Sequence, residues 1–371
     1  MTVYKSLKEE DRVSTKTLLH EAIPITGTIV SGTYDDNNVQ NFTHGMFQSV
    51  YDYPYLSSSA NHIFDISFGF HSTSSFYSGA SVQKAKKNNI YNQMAQVLMG
   101  YDKDGNIQRF DADGDLSSGG AKINEAIFLP FSRLLVKDEI KKGSFSMTIG
   151  TSASFAQPHP GSVFDQVVTI TDEGAATSYR VNSPAGEYGI LYATGAAGVL
   201  DAASTHKTTI AGATNPYWPA GLIYYQAGII VLTASVFMGV NDEGYLLSGS
   251  TMFFDHETSL SGSMKTEEIS GSADGLRNRI QNVQFNNTIE LNSTVYFCRV
   301  KHNEFNYSSN PTYLSGSQIR VKENLENPPI SYITSVGLYS ADNQLLAVGK
   351  FSEPIRKDSN IELTFRARLD Y

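Results

Sequence analysis

The segment IELTFRARLDY (residues 361–371) indicates the fold class, because its apolar and polar residues alternate without a break. The apolar series is Ile361, Leu363, Phe365, Ala367, Leu369 and Tyr371. Alternation with a period of two residues predicts a β-strand with one buried face. Arg366 and Arg368 fall on the polar face, where we expect an exposed surface or a subunit contact.

The preceding segment YITSVGLYSADNQLLAVGKF (332–351) consists of two apolar runs joined by a polar turn. This arrangement predicts a rigid β-hairpin whose register is fixed by the alternation. Tyr332 and Tyr339 lie in its first run, and tyrosine is enriched at protein interfaces. We therefore predict that these two residues contribute to an interface.

The composition extends the β prediction to the whole chain. Charged residues make up only 18 % of the sequence, and it contains 21 Tyr and 20 Phe but a single Trp. Aromatic residues favour strands, and a weakly charged polar surface suits subunits that pack together. We predict a mainly β fold with antiparallel sheets, sandwich- or jelly-roll-like, and one or two short helices.

Changes in composition along the chain predict its organisation. Residues 1–25 form an N-terminal arm or first helix that ends at Pro24. Residues 26–149 and 241–371 form a main β-rich body, and the Ala-, Gly- and Thr-rich residues 150–240 form an inserted or second β domain.

Two segments have the pattern of helices. In residues 81–100 the apolar residues approximate a helical stripe that ends before Gly100, and residues 272–285 form a second short helix with Ser272 as its N-cap. The stripe of the first helix comprises Val82, Ala85, Ile90, Met94, Val97 and Leu98.

The most apolar stretch, AGLIYYQAGIIVLTASVFMGV (220–240), has nearly the length of a membrane span. It is interrupted by polar residues and glycines and is rich in β-branched residues. We interpret it as two buried strands around a turn near 226–228, and we expect no membrane role.

Motifs that carry catalysis or bind cofactors are absent from the sequence. It has no Gly-rich phosphate loop, no GxSxG elbow and no zinc-binding pattern of Cys and His. His302 and Glu304 project from one face of a predicted strand, and residues 255–257 (Asp-His-Glu) are adjacent, but the sequence gives neither group a nucleophile or a further ligand. With a net charge of −9 and no long basic run, the chain is not expected to bind nucleic acid. We predict neither enzymatic activity nor a cofactor.

The acidic residues Asp111, Asp113 and Asp115 are the only candidates for a metal site. Alternating carboxylates open calcium-binding loops, but this loop has Leu116 where glycine is required and Lys122 where a bidentate glutamate is required. We interpret the segment as an Asp-Gly turn like the one at 104–105, and a structural cation is the alternative.

Trp218, in the segment NPYWPAG, is the remaining candidate for an interaction site. In a proline-flanked loop an exposed indole provides a stacking platform for a sugar. Packing at a domain boundary is the alternative, and we favour it.

Several segments resemble structural proteins of tailed bacteriophages, especially those of marine myoviruses. They are FNYSSNPTYLSG (305–316), YITSVGLYSADNQLLAVGKFSEPIRK (332–357), the terminal FRARLDY and, near the N-terminus, GMFQSVYDYPYLSSSANHIFD (45–65). The resemblance implies a β-rich virion component that is present in many copies, assembled in the host cytoplasm, with copies of itself and other virion proteins as partners.

The position in the particle is left open by this resemblance. We expect a structural component of the tail, baseplate or neck; a capsid or capsid-decoration protein is an alternative. A carbohydrate-binding module that recognises a host-surface glycan is an alternative of a different class, and it depends on Trp218.

Overall fold

The computed structural model describes most of the chain. The residues outside this description are 1–3, 22–35, 80, 117–119, 136–137, 152–165, 202–207, 209, 211–215, 240–243, 248–263, 265–268, 308–313, 316–317 and 320–329. The predicted Asp-His-Glu group at 255–257 lies outside the described residues.

The described part contains three α-helices and nineteen strands, numbered here in chain order. The helices are α1 Val82–Leu98, α2 Ala175–Ser178 and α3 Ile269–Arg279. The strands are β1 Arg12–Glu21, β2 Val39–Asn41, β3 Gln48–Tyr51, β4 His62–Phe70, β5 Glu125–Pro130, β6 Glu139–Ile140, β7 Ser146–Thr151, β8 Gln166–Thr171, β9 Arg180–Ser183, β10 Gly186–Gly195, β11 Trp218–Tyr224, β12 Ile229–Thr233, β13 Ile280–Gln284, β14 Asn287–Val300, β15 Leu314–Ser315, β16 Gln318–Ile319, β17 Ser331–Tyr339, β18 Leu345–Lys357 and β19 Leu363–Asp370.

The predicted fold class is confirmed, since the protein is mainly β with antiparallel sheets and few helices. The chain forms two compact units. The terminal unit comprises Met1–Leu19 and Glu290–Tyr371, and the central unit comprises His20–Ile289.

The central unit is built on one large antiparallel sheet. Among the described residues it has eleven strands in the order β13-β7-β8-β10-β11-β12-β5-β4-β3-β2, with β9 added beside β10. Strands distant in sequence are neighbours in it, for example β12 and β5, in which Val231 lies opposite Phe128. Both residues are fully buried, so this pairing lies in the hydrophobic core.

The most apolar stretch of the sequence forms part of this sheet. β11 and β12 are antiparallel partners joined by a turn, and Leu222 lies opposite Val231. The interpretation of residues 220–240 as two buried strands is therefore confirmed. No helix in the described part of the chain is both long and apolar enough to cross a membrane.

Helix α1 packs on β4, and a glycine makes the close approach possible. A Cβ atom at Gly69 would lie 2.8 Å from the backbone nitrogen of Tyr91 and 2.9 Å from the carbonyl oxygen of Lys87. The helix begins after Ser81, whose hydroxyl accepts a hydrogen bond from the Lys84 amide (3.2 Å). It ends before Gly100, which has a φ of +77°, so the prediction of its C-terminal end is confirmed.

The buried face of α1 differs from the predicted stripe. Val82 and Val97 are exposed, whereas Ile90 and Leu98 are buried as predicted. Lys87 is fully buried, and its ammonium group donates a hydrogen bond to the Met264 carbonyl (2.6 Å). The buried face of α1 therefore includes a lysine whose ammonium group is hydrogen-bonded. Apolar periodicity alone does not identify such a residue as buried.

The terminal unit contains a smaller sheet in the order β1-β14-β19. β14 and β19 are antiparallel with an unbroken register from Ser293 opposite Asp370 to Val300 opposite Leu363. The predicted alternation in β19 is confirmed, but its apolar side chains are half-buried rather than buried. The described part of one chain therefore covers the apolar face of β19 only in part.

The predicted C-terminal hairpin is formed by β17 and β18. Ile333 lies opposite Ile355, and Leu338 opposite Ala347. The ring of Phe351 packs against that of Phe365 on β19, with centroids 4.7 Å apart. Nearly all other side chains of the hairpin are exposed or half-buried.

Two local predictions are wrong. Residues 12–21 form strand β1 rather than a helix, because they pair with β14. Ser272 lies inside α3 and is buried, so it is not an N-cap.

The observed division of the chain also differs from the predicted boundaries. Residues 150–240 do not form a separate domain, because β8 pairs with β7 and β12 pairs with β5 in one sheet. Residues 290–371 group with residues 1–19 rather than with 26–149. These long-range pairings leave no trace in local composition.

Candidate functional site

The three predicted acidic residues come together in the central unit. Carboxylate oxygens of Asp111, Asp113 and Asp115 lie within 4.8 Å of one another; Asp111 is buried and the other two are exposed. The amide of Asp113 donates to the Asp111 carboxylate and the amide of Asp115 to the Asp113 carboxylate, both at 3.3 Å. Gly114 has a φ of +69°, so the geometry is that of the predicted Asp-Gly turn.

A lysine already neutralises the buried member of this group. The ammonium of Lys122 forms an ion pair with Asp111, and the two residues also pair as an antiparallel bridge. A hydrogen bond with the Asp111 side chain, followed by burial, raises the pKa of Asp113. A divalent cation would have to displace Lys122 from Asp111, so the structure offers an ion pair at this position and no second feature that points to a metal.

Trp218 is not available as a stacking platform. It is 4 % exposed and lies in β11 opposite Ala193. The structure therefore contradicts the prediction that this residue is an interface candidate. The indole is packed, as in the favoured alternative, but it lies in the core of the central unit and not at a domain boundary. The flanking prolines mark the start of a buried strand rather than an exposed loop.

His302 and Glu304 do not form a pair. His302 lies 3.3 Å from the carboxylate of Glu362, whereas Glu304 binds the ammonium of Lys5 at 2.6 Å. The segment is a turn and not a strand, so the two side chains turn to different partners.

The other four interface candidates lie exposed in the terminal unit. Tyr332 and Tyr339 are exposed on β17, and Arg366 and Arg368 on the polar face of β19. Arg368 donates to Asp370 (2.7 Å), which sets its side chain along the strand. All four side chains therefore lie on exposed surface of the terminal unit, but they do not form one cluster.

The hairpin carries an unusual set of exposed apolar side chains, here called the hairpin surface. They are 42 % to 65 % exposed: Tyr332, Tyr339, Leu345, Leu346 and Val348. The ring of Tyr4 packs edge-on against Tyr339, with centroids 4.9 Å apart. Large exposed apolar groups in one region mark interaction sites more often than accidents of folding.

The terminal unit as a whole shows the same enrichment. Ten of the seventeen large apolar side chains that are exposed in the described part of the chain belong to it. The unit comprises only about a quarter of the residues. The exposed apolar surface is therefore concentrated where the sequence predicts an interface.

A buried group of charged residues in the central unit escaped the sequence analysis. The Lys142 ammonium lies 2.9 Å from Glu139 and 2.8 Å from Glu187, and it sits over the ring of Tyr225 at 5.3 Å. Nearby, the carboxylate of Asp172 accepts hydrogen bonds from three donors. They are the amides of Gly143 (2.7 Å) and Phe145 (3.0 Å) and the hydroxyl of Tyr225 (3.1 Å).

Burial governs the ionisation of Asp172. The residue is 1 % exposed, and desolvation raises its pKa to about 6 against the hydrogen bonds, which lower it. Tyr225 reaches it across Gly189, where any side chain would collide with the tyrosine hydroxyl. The arrangement fastens the turn around Gly143 to the end of β8, and because it is closed to solvent it offers no entry for a substrate.

No sequence signal marks this group, because its members are separated by up to 86 positions and none belongs to a motif. Only the pairing of strands brings them together.

Comparison with family models, curated proteins and solved structures finds no match to the chain.

Proposed function

We propose that the chain is a structural component of a tailed-phage virion, which assembles by oligomerisation and docks in the tail, baseplate or neck. The observation that carries this proposal is the concentration of exposed apolar side chains in the terminal unit, above all on the hairpin surface. A surface of this kind favours contact with other protein subunits. The resemblance of the same hairpin to phage structural proteins supports the virion setting.

A non-enzymatic role is part of the proposal. In the described part of the chain, neither the neutralised acidic turn nor the closed internal group combines a nucleophile with a base in an open cleft. The alternative, recognition of a host glycan, depended on an exposed Trp218, and this residue is buried.

Two measurements test the proposal. Light scattering or native mass spectrometry of the purified chain, with and without EDTA, gives the mass in solution, and we expect an oligomer that survives EDTA. Quantitative mass spectrometry of purified phage particles then gives the copy number of the chain, which we expect to be several per particle. Absence of the chain from the particles would refute the virion role.

A further inference from the structure

The two strands of the hairpin differ in how they are protected at their outer edges. β17 pairs with β18 on one side, and no other described strand pairs with it on the opposite side. The same holds for the outer side of β18. A two-stranded hairpin is at best marginally stable in water, and an open edge presents unpaired backbone groups to other strands.

β18 carries the devices that prevent edge-to-edge pairing. It contains charged residues and Pro354, and its register shifts between the pairs Ile333–Ile355 and Ser335–Lys350. Charges, proline and an irregular register all disfavour the addition of a further strand.

β17 lacks the charges and the proline, and the extra residues at this register shift (351–354) belong to β18 and not to β17. Its sequence SYITSVGLY has no charged residue and no proline, and it is rich in β-branched and aromatic residues. A neutral segment of this composition is a template for strand addition unless something covers it. The outer edge of β17 is therefore the edge of the hairpin that is suited to pairing.

We propose that the outer edge of β17 pairs with β17 of a second copy of the chain, antiparallel across a two-fold axis, to give a four-stranded sheet β18-β17-β17-β18. This inference deepens the proposed function, because it rests on assembly by self-association and names the contact. Antiparallel pairing of one strand with itself is self-complementary, as a two-fold interface requires.

The charges of the hairpin agree with a second copy as the occupant. The basic residues opposite β17 are Lys350, Arg356 and Lys357, all on β18. In the four-stranded sheet the two β18 strands are separated by three strand spacings, or about 14 Å. This separation exceeds the Debye length of about 8 Å at physiological ionic strength, so like charges do not oppose each other across the contact. The paired β17 strands themselves bring only neutral side chains together.

Thr334, which is exposed near the middle of β17, provides the test. In a self-pair the two copies of this residue lie close together, so Thr334→Lys and Thr334→Glu each place like charges near the axis. We expect each variant alone to weaken the dimer by up to about fivefold, because like charges across a strand pair are destabilising. An equal mixture of the two variants restores the dimer, since opposite charges then meet.

The control is Ser352→Lys, which adds the same charge at an exposed position of β18 and should leave the dimer constant unchanged. Circular dichroism confirms that each variant is folded, and sedimentation velocity measures association.

A monomeric wild-type chain would overturn the β17 contact. A Thr334→Lys variant that associates like wild type would also overturn it. The same holds if Thr334→Lys weakens the dimer but mixing it with Thr334→Glu does not restore the dimer. The copy number in phage particles is measured independently. An oligomer that is insensitive to Thr334→Lys, in a chain present in particles, refutes this contact and leaves the proposed function intact.

Discussion

The ionisation of Asp172 gives a prediction whose size and sign follow from the structure. In the folded protein burial raises its pKa from the ordinary 3.8 to about 6. Replacement by asparagine (Asp172→Asn) removes the titration and keeps an oxygen that accepts hydrogen bonds. Comparison of the two proteins at several pH values isolates this carboxyl from all the others.

The sign follows from proton binding. Between pH 3.8 and about 6 the folded protein retains the proton on Asp172 while the unfolded chain has released it. The stabilisation from the protonated carboxyl is thus complete below the unfolded pKa and is lost as the pH rises through the folded pKa. A pKa difference of one corresponds to about 1.4 kcal/mol, so the full effect is about 3 kcal/mol, of which about 2 kcal/mol falls between about pH 4 and about pH 7.

Urea unfolding of both proteins at these two pH values measures the effect. We expect the free energy of unfolding of wild type, relative to Asp172→Asn, to fall by about 2 kcal/mol from the lower to the higher pH. Asp102→Asn is a control of opposite sign, because hydrogen bonds from Asn106 lower the pKa of the exposed Asp102. A difference between wild type and Asp172→Asn that is independent of pH, or that rises with it, would refute the reasoning.

Three further predictions concern packing and the acidic turn. Gly69→Ala should lower the free energy of unfolding by about 1–3 kcal/mol, because its Cβ would collide with the backbone of α1. The control Gly349→Ala, whose Cβ would have nothing within 4 Å, should change the free energy of unfolding by less than about 0.5 kcal/mol. Equal urea midpoints for the two variants would contradict the close approach of α1 to β4. Trp218→Ala should cost about 3–5 kcal/mol in the same assay, and an unchanged midpoint would contradict the burial of the indole. Lys122→Ala should cost about 3 kcal/mol, because it leaves the buried Asp111 without its cation; a thermal midpoint of wild type that rises with added calcium would instead favour a metal site.

The sequence by itself determined those elements whose signal is local. The alternation in residues 363–370 specified β19, and Gly100 specified the C-terminal end of α1. The two buried strands at 218–233 were also predictable, because their β-branched residues flank a glycine-containing turn. In each case the residues that fix the backbone lie within one element.

Strand β1 and the unit boundaries were decided by pairing at long range. Residues 12–21 are polar and have no clear period, so a helix and a strand were both compatible with them until β14 provided the partner. The segment 150–240 differs in composition from its neighbours, yet β12 joins β5 in the core of the same sheet. Composition reflects the solvent and packing needs of a segment, but it does not specify which strand lies beside it.

The side-chain groups show the same limit most clearly. The sequence placed Asp111, Asp113 and Asp115 together because they are close in the chain, but it gave no means of seeing that Lys122 neutralises Asp111. It gave no indication of Lys142 between Glu139 and Glu187, or of Asp172 beneath Tyr225. Local patterns fix which face of an element is buried, whereas the partners of a buried charge depend on contacts between distant strands, and only the tertiary structure supplies them.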